Sequence, residues 1–79
     1  MRKPSPELMA ILSENILRLR NDLGLSQEEL AFKSGLHRTY IGAVERGERN
    51  ITLSSLELIA NVLNVKLATL LEKQVNTHG

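Results

Sequence analysis

Residues 38–50, RTYIGAVERGERN, concentrate side chains able to engage an external partner. Arg38, Arg46 and Arg49 carry guanidinium groups, Thr39 a hydroxyl, Tyr40 a phenol and Asn50 an amide. Guanidinium forks donate paired hydrogen bonds to phosphate oxygens or to the acceptor edge of guanine, and hydroxyls and amides read smaller polar edges. Gly42 and Ala43, set among them, would allow close approach to a surface. Covalent chemistry has no comparable basis. Cysteine is absent and histidine occurs only as His37 and His78, so no thiolate site, metal cluster or nucleophile–base pair can be assembled. No glycine-rich phosphate loop is present either. The expectation is a binding protein with no catalytic residue, no metal and no cofactor.

Composition narrows what is bound. The formal net charge is only +1, so any electrostatic attraction to a polyanion must come from where the charges lie. Aromatic residues are 3% of the chain, Phe32 and Tyr40, too few to form a stacking platform for single-stranded nucleic acid. The first residues, MRKPSPELMAILSEN, contain no uninterrupted apolar run and read as neither signal peptide nor membrane span. The expected compartment is the cytoplasm. At 79 residues there is room for one small domain, whose core is modest enough that self-association would add stability.

The elements that must position these side chains are all helical. No stretch alternates at period two for long enough to form a strand. Ser5, Pro6 and Glu7 open a helix over about 6–23, with Leu8, Leu12, Ile16, Leu19 and Leu23 along one face and Gly24 as its stop. Ser26 and Glu29 form a capping box for a helix over 27–34, which contributes Leu30 and Ala31 to the core. Gly35, Leu36 and His37 make the turn into a helix over 38–46, with His37 as cap. Thr52 caps a helix over 53–63 whose stripe is Leu56, Ile59, Ala60 and Leu63, ended by Asn64. A fifth helix spans 67–73, although Lys66 is a poor capping residue, and 74–79 read as a frayed tail.

Two short helices joined by a glycine-containing turn, 27–34 and 38–46, form a helix-turn-helix. At about 100° per residue, Ile41, Val44 and the Tyr40 ring gather on one side of the second helix. Arg38, Thr39, Gly42, Ala43 and Arg46 gather on the other, which carries no acid. Such a face suits the major groove of double-stranded DNA, where the N-terminal residues of a second helix reach base edges. Arg38 and Thr39 are the expected base readers. Tyr40, Arg46, Arg49 and Asn50 are expected phosphate or base contacts, and His37 is a turn residue with a secondary phosphate contact. A second apolar face, Leu58 and Val62 with Val65 just beyond, points to a homodimer, the alternative being that the fifth helix covers it within one chain.

The segment LRNDLGLSQEELAFKSGLHRTYIGAVERGERNITLSSLELIANVLNV resembles the five-helix, λ-repressor-like (Cro/C1-type, XRE) helix-turn-helix family, through GLSQEELA, SGL, YI and ERG. The recognition segment LHRTYIGAVERGERN is especially similar to controller proteins of restriction–modification systems. That resemblance implies a dimeric transcriptional regulator acting on a pseudo-palindromic operator, upstream of its own gene and the endonuclease gene. It implies that Gln27 holds a phosphate and that Arg20 and Glu45 form a structural ion pair. It places the last two helices at the two-fold axis, with Leu58, Asn61, Val62, Val65 and Leu67 in the dimer interface. RNA polymerase would be the partner recruited or excluded, and no small-molecule effector is expected. A phage-type repressor shares this chemistry. An antitoxin would need a longer extension than the six or so residues beyond the fifth helix.

Overall fold

In a computed structural model, which describes residues 4–74, the chain forms α1 (Pro6–Asp22), α2 (Gln27–Ser34), α3 (Arg38–Glu45), α4 (Leu53–Leu63) and α5 (Leu67–Leu70). Each of the first two helices begins where a side chain satisfies a backbone donor that the helix itself leaves free. Ser5 Oγ accepts from the Leu8 N–H at 3.1 Å. Ser26 Oγ accepts from the Glu29 N–H at 3.0 Å, and the Glu29 carboxylate accepts from the Ser26 N–H at 2.9 Å. That backbone hydrogen bond, more than the one to the Ser26 hydroxyl, holds the Glu29 carboxyl below its usual range. Thr52 caps α4 in the same way, accepting from the Ser55 N–H at 3.1 Å.

The apolar stripes converge on one core. Ile16, Leu30, Ile41, Ile59 and Leu70 are fully buried, joined by Leu12, Ala31, Val44, Leu56, Ala60 and Leu63. Each large aliphatic side chain removed from water contributes about 1.5–3 kcal/mol, so these positions supply most of the favourable free energy. The ends of the α1 stripe lie outside the core: Leu8 and Leu23 are exposed.

Ser13 and Asn15 of α1 are buried as well, and both act as clamps. Ser13 Oγ lies 2.7 Å from the Met9 carbonyl and 2.9 Å from the Val44 carbonyl, tying α1 to the last turn of α3. Asn15 donates its amide to the Leu70 and Glu72 carbonyls at 2.9 and 2.8 Å, with the Thr69 carbonyl at 3.5 Å. Asn15 thus fastens the chain after α4 onto α1.

The last helix is shorter than expected. It ends at Leu70 rather than at 73, and the Leu70 and Glu72 carbonyls at and beyond its end are capped by the Asn15 amide. Lys66 gives it no side-chain cap, as its chemistry foretold. Of the expected tail, Gln74 is exposed and 75–79 lie outside the described residues, as do Arg2, Lys3 and His78.

Candidate nucleic-acid interface

The turn between α2 and α3 sets the geometry. Gly35 adopts φ 74°, a left-handed conformation that costs glycine nothing, and the Leu36 N–H returns to the Ala31 carbonyl at 3.0 Å. Leu36 packs against the core, so the chain enters α3 already anchored. His37 occupies the N-cap position, but its side chain makes no capping hydrogen bond, contrary to the role assigned from its position.

The first turn of α3 projects outward. Arg38 and Thr39 are exposed, with 63% of the Arg38 side chain open to solvent. Ile41 and Val44 point into the core from the opposite side. Tyr40 lies between them, half-buried, its ring against the core cluster. The Arg49 guanidinium carbon sits 5.4 Å from the centroid of that ring, so a residue of the following loop is steadied on a residue of α3. Asn50, beside Arg49, is exposed.

Two features differ from the isolated-helix reading. Gly42 and Ala43, expected on the outward face, are both buried. α2 packs so close to α3 that a Cβ on Gly42 would stand 3.5 Å from Gln27 Oε1, and Arg46 Nη1, from the end of α3 itself, would lie 3.1 Å away. The loop after α3 folds back, the Glu48 N–H donating to the Ala43 carbonyl at 2.9 Å. Neither small residue offers surface to an incoming duplex in the free chain. The outward face is also not free of acid. Glu28 Oε1 lies 3.9 Å from Arg38 Nε, and Glu48 Oε2 lies 3.1 Å from Arg46 Nε. Both carboxylates belong to neighbouring elements, which a helical wheel of α3 does not include.

Beneath this surface lies a buried ionic network. Arg20 Nε meets Glu45 Oε2 at 2.6 Å and Arg20 Nη2 meets Glu45 Oε1 at 2.9 Å, a bidentate pair. The two side chains are only 10% and 3% exposed, which makes this a core element and not a surface pair. Arg20 also donates to the Leu25 carbonyl at 2.8 Å, holding the loop ahead of α2. The hydrogen bond to Glu45, helped by its charge, raises the Arg20 pKa above its ordinary value although burial acts the other way. Gln27 completes the network by donating to Glu45 Oε1 at 2.9 Å. One of its two amide hydrogens is therefore committed inward, while Gln27 itself stands at the N-terminus of α2. Arg20, Glu45 and Gln27 together fix α1, α2 and α3 relative to one another.

The residues expected at a subunit interface are unevenly available. Leu58 is 43% exposed and Asn61 is exposed, whereas Val62, Val65 and Leu67 are half-buried against the chain's own core. Sequence reasoning missed Ser13 and Asn15 on α1, and the two carboxylates Glu28 and Glu48. Asn15 carried a signal, a polar residue three positions after Leu12 on an otherwise apolar face. Glu28 and Glu48 carried none, since their importance lies in what stands beside them.

Comparison with known proteins places this geometry. The helix-turn-helix family model matches residues 16–70. The chain is 54% identical over 68 residues to control protein C.SmaI of Serratia marcescens, covering 86% of this chain and 81% of that one. Among solved structures, the restriction–modification controller protein C.AhdI of Aeromonas hydrophila superposes with a TM-score of 0.76 at 42% identity, covering 78% of this chain and 94% of that chain. The controller protein C.Esp1396I, solved as a tetramer in complex with its natural 35-base-pair operator, gives a TM-score of 0.74 at 44% identity, covering 80% of this chain and 83% of that chain. With five helices among its described residues, its glycine turn and an exposed arginine at the start of the second motif helix, this chain belongs to the helix-turn-helix family of DNA-binding transcription regulators, and is similar within it to the restriction–modification controller proteins.

Proposed function

We propose that this protein is a restriction–modification controller: a cytoplasmic homodimer that binds a pseudo-palindromic operator and sets transcription of its own gene and of an endonuclease gene. The observation that carries the reading is the outward first turn of α3. Arg38 and Thr39 stand exposed at the start of a helix whose Ile41, Gly42, Ala43 and Val44 are buried. In this reading they contact base edges, where a bidentate arginine–guanine pair is worth about 1–3 kcal/mol of discrimination. Arg46, Arg49, Asn50 and the Tyr40 hydroxyl contact the backbone. Gln27 offers its second amide hydrogen to a phosphate, and His37 supplies a further phosphate contact.

Dimerisation through Leu58 and Asn61, with Val62, Val65 and Leu67 at the margin, would present two copies of α3 about 34 Å apart, one turn of duplex. The operator-bound C.Esp1396I structure supports this mode of engagement. Occupancy then follows the concentration of the chain, and recruitment or exclusion of RNA polymerase gives the transcriptional outcome.

The test is selection of binding sites from a pool of randomised duplexes, with sedimentation of the protein alone. An enriched sequence with two-fold symmetry, bound by a dimer and lost on Arg38→Ala with folding intact, is the expected result. Recovery of no preferred sequence, or of asymmetric sites bound by a monomer, would overturn the proposal.

A further inference from the structure

We propose that Glu28 is a specificity-determining residue of this surface, acting through Arg38; the inference rests on the operator-binding function proposed above. Glu28 stands in the first turn of α2, and its side chain is 77% exposed. Its neighbour Glu29 is committed to the Ser26 cap, so Glu28 is the acid of this turn that faces α3. Its carboxylate oxygen lies 3.9 Å from Arg38 Nε, across the turn of the motif.

The point of contact matters. A guanidinium presents one N–H on Nε and four more on its two terminal nitrogens. A carboxylate on the Nε side biases the direction of the whole group and leaves the terminal fork open. That fork is the end a guanine O6 and N7 engage. At 3.9 Å the pair is ionic and not hydrogen-bonded, so it orients Arg38 without locking it. Arg46 is held differently: Glu48 sits at its Nε at 3.1 Å, and its Nη1 lies beside Gly42, against its own helix.

The same carboxylate weakens indiscriminate binding. Phosphates line every duplex, and an unaccompanied exposed arginine is drawn to all of them. A negative charge beside Arg38 offsets much of that attraction at any sequence. A cognate site supplies in addition a directed two-bond contact, which discriminates by roughly ten- to hundredfold. Glu28 therefore lowers the affinity for arbitrary DNA while aiding the contact that reads sequence, and the ratio between the two rises.

The experiment uses the full chain and two duplexes: the sequence enriched by the wild type from a randomised pool, and a scrambled duplex of equal length and composition. Dissociation constants are measured for the wild type, Glu28→Gln, Arg38→Ala and the double variant, with thermal melts confirming the fold. Glu28→Gln is expected to tighten binding to the scrambled duplex by about two- to fivefold. It should leave the selected duplex unimproved, so the specificity ratio falls. In the Arg38→Ala background the same substitution should leave the ratio unchanged. Equal tightening on both duplexes would reduce Glu28 to a general repulsive charge and overturn the proposal, as would an equal fall of the ratio without Arg38. A wild-type chain that enriches no sequence at all would instead overturn the function on which the inference rests.

Discussion

Removing the Glu45 carboxylate should destabilise the domain more than any substitution on its outward surface. In Glu45→Ala, two of the nitrogens of Arg20, whose side chain is 10% exposed, lose their acceptor, and Gln27 loses its own. Among the described residues, only the hydrogen bond to the Leu25 carbonyl remains to the guanidinium. A buried pair broken on one side costs about 3–5 kcal/mol, because the surviving charge is left uncompensated in a medium that solvates it poorly. A domain of this size has a total stability of roughly 4–12 kcal/mol, so the variant should be close to unfolding. In thermal denaturation followed by circular dichroism, at one fixed protein concentration, Tm should fall by roughly 12–40 °C. Loss of DNA binding in that variant would then report unfolding and not a lost contact. Replacing both partners with apolar residues, Arg20→Met with Glu45→Leu, should recover much of the loss, since no orphaned charge remains. A drop below about 1 kcal/mol for the single variant would refute the reasoning, as would a double variant worse than the single one.

Asn15→Ala should cost about 1–3 kcal/mol, because the Leu70 and Glu72 carbonyls lose their donor, and hydrogen exchange should quicken selectively in the segment following α4. Gly42→Ala should keep or slightly raise stability through better helix propensity, by up to about 1 kcal/mol, yet weaken duplex binding. The new Cβ would stand 3.1 Å from Arg46 Nη1, the end of a flexible side chain, and must displace it; unchanged affinity with an unshifted Arg46 would contradict this. The lowered pKa of Glu29 makes the α2 cap pH-sensitive. Its contribution is present above the ordinary carboxylate range and is lost as pH falls through the lowered value. Glu29→Gln should flatten that acid limb of the stability profile, measured by denaturant titration across acidic pH; an unaltered limb would place the proton uptake elsewhere.

The first four helices were legible because their information is local. Ser5, Ser26 and Thr52 accept from backbone donors three residues ahead, Gly35 takes up left-handed φ where its turn requires it, and the apolar positions repeat at the helical period. The stripe of α4 and the helix-turn-helix follow from those rules, and the outward projection of Arg38 and Thr39 with them. What sequence could not supply was the identity of neighbours brought from elsewhere in the chain. Asn15 takes carbonyls more than fifty residues away and caps the chain where α5 ends. α2 packs close enough to α3 to set Gln27 beside Gly42, and both Gly42 and Ala43 are buried, although a wheel of α3 turns both outward. Glu28 and Glu48 reach the arginines from adjacent elements, giving an acid-flanked surface where one helix alone carried no acid. Caps and periodicity are fixed by hydrogen bonds within a few residues, whereas burial and charge pairing depend on the spatial arrangement of whole helices, which only the packed core decides.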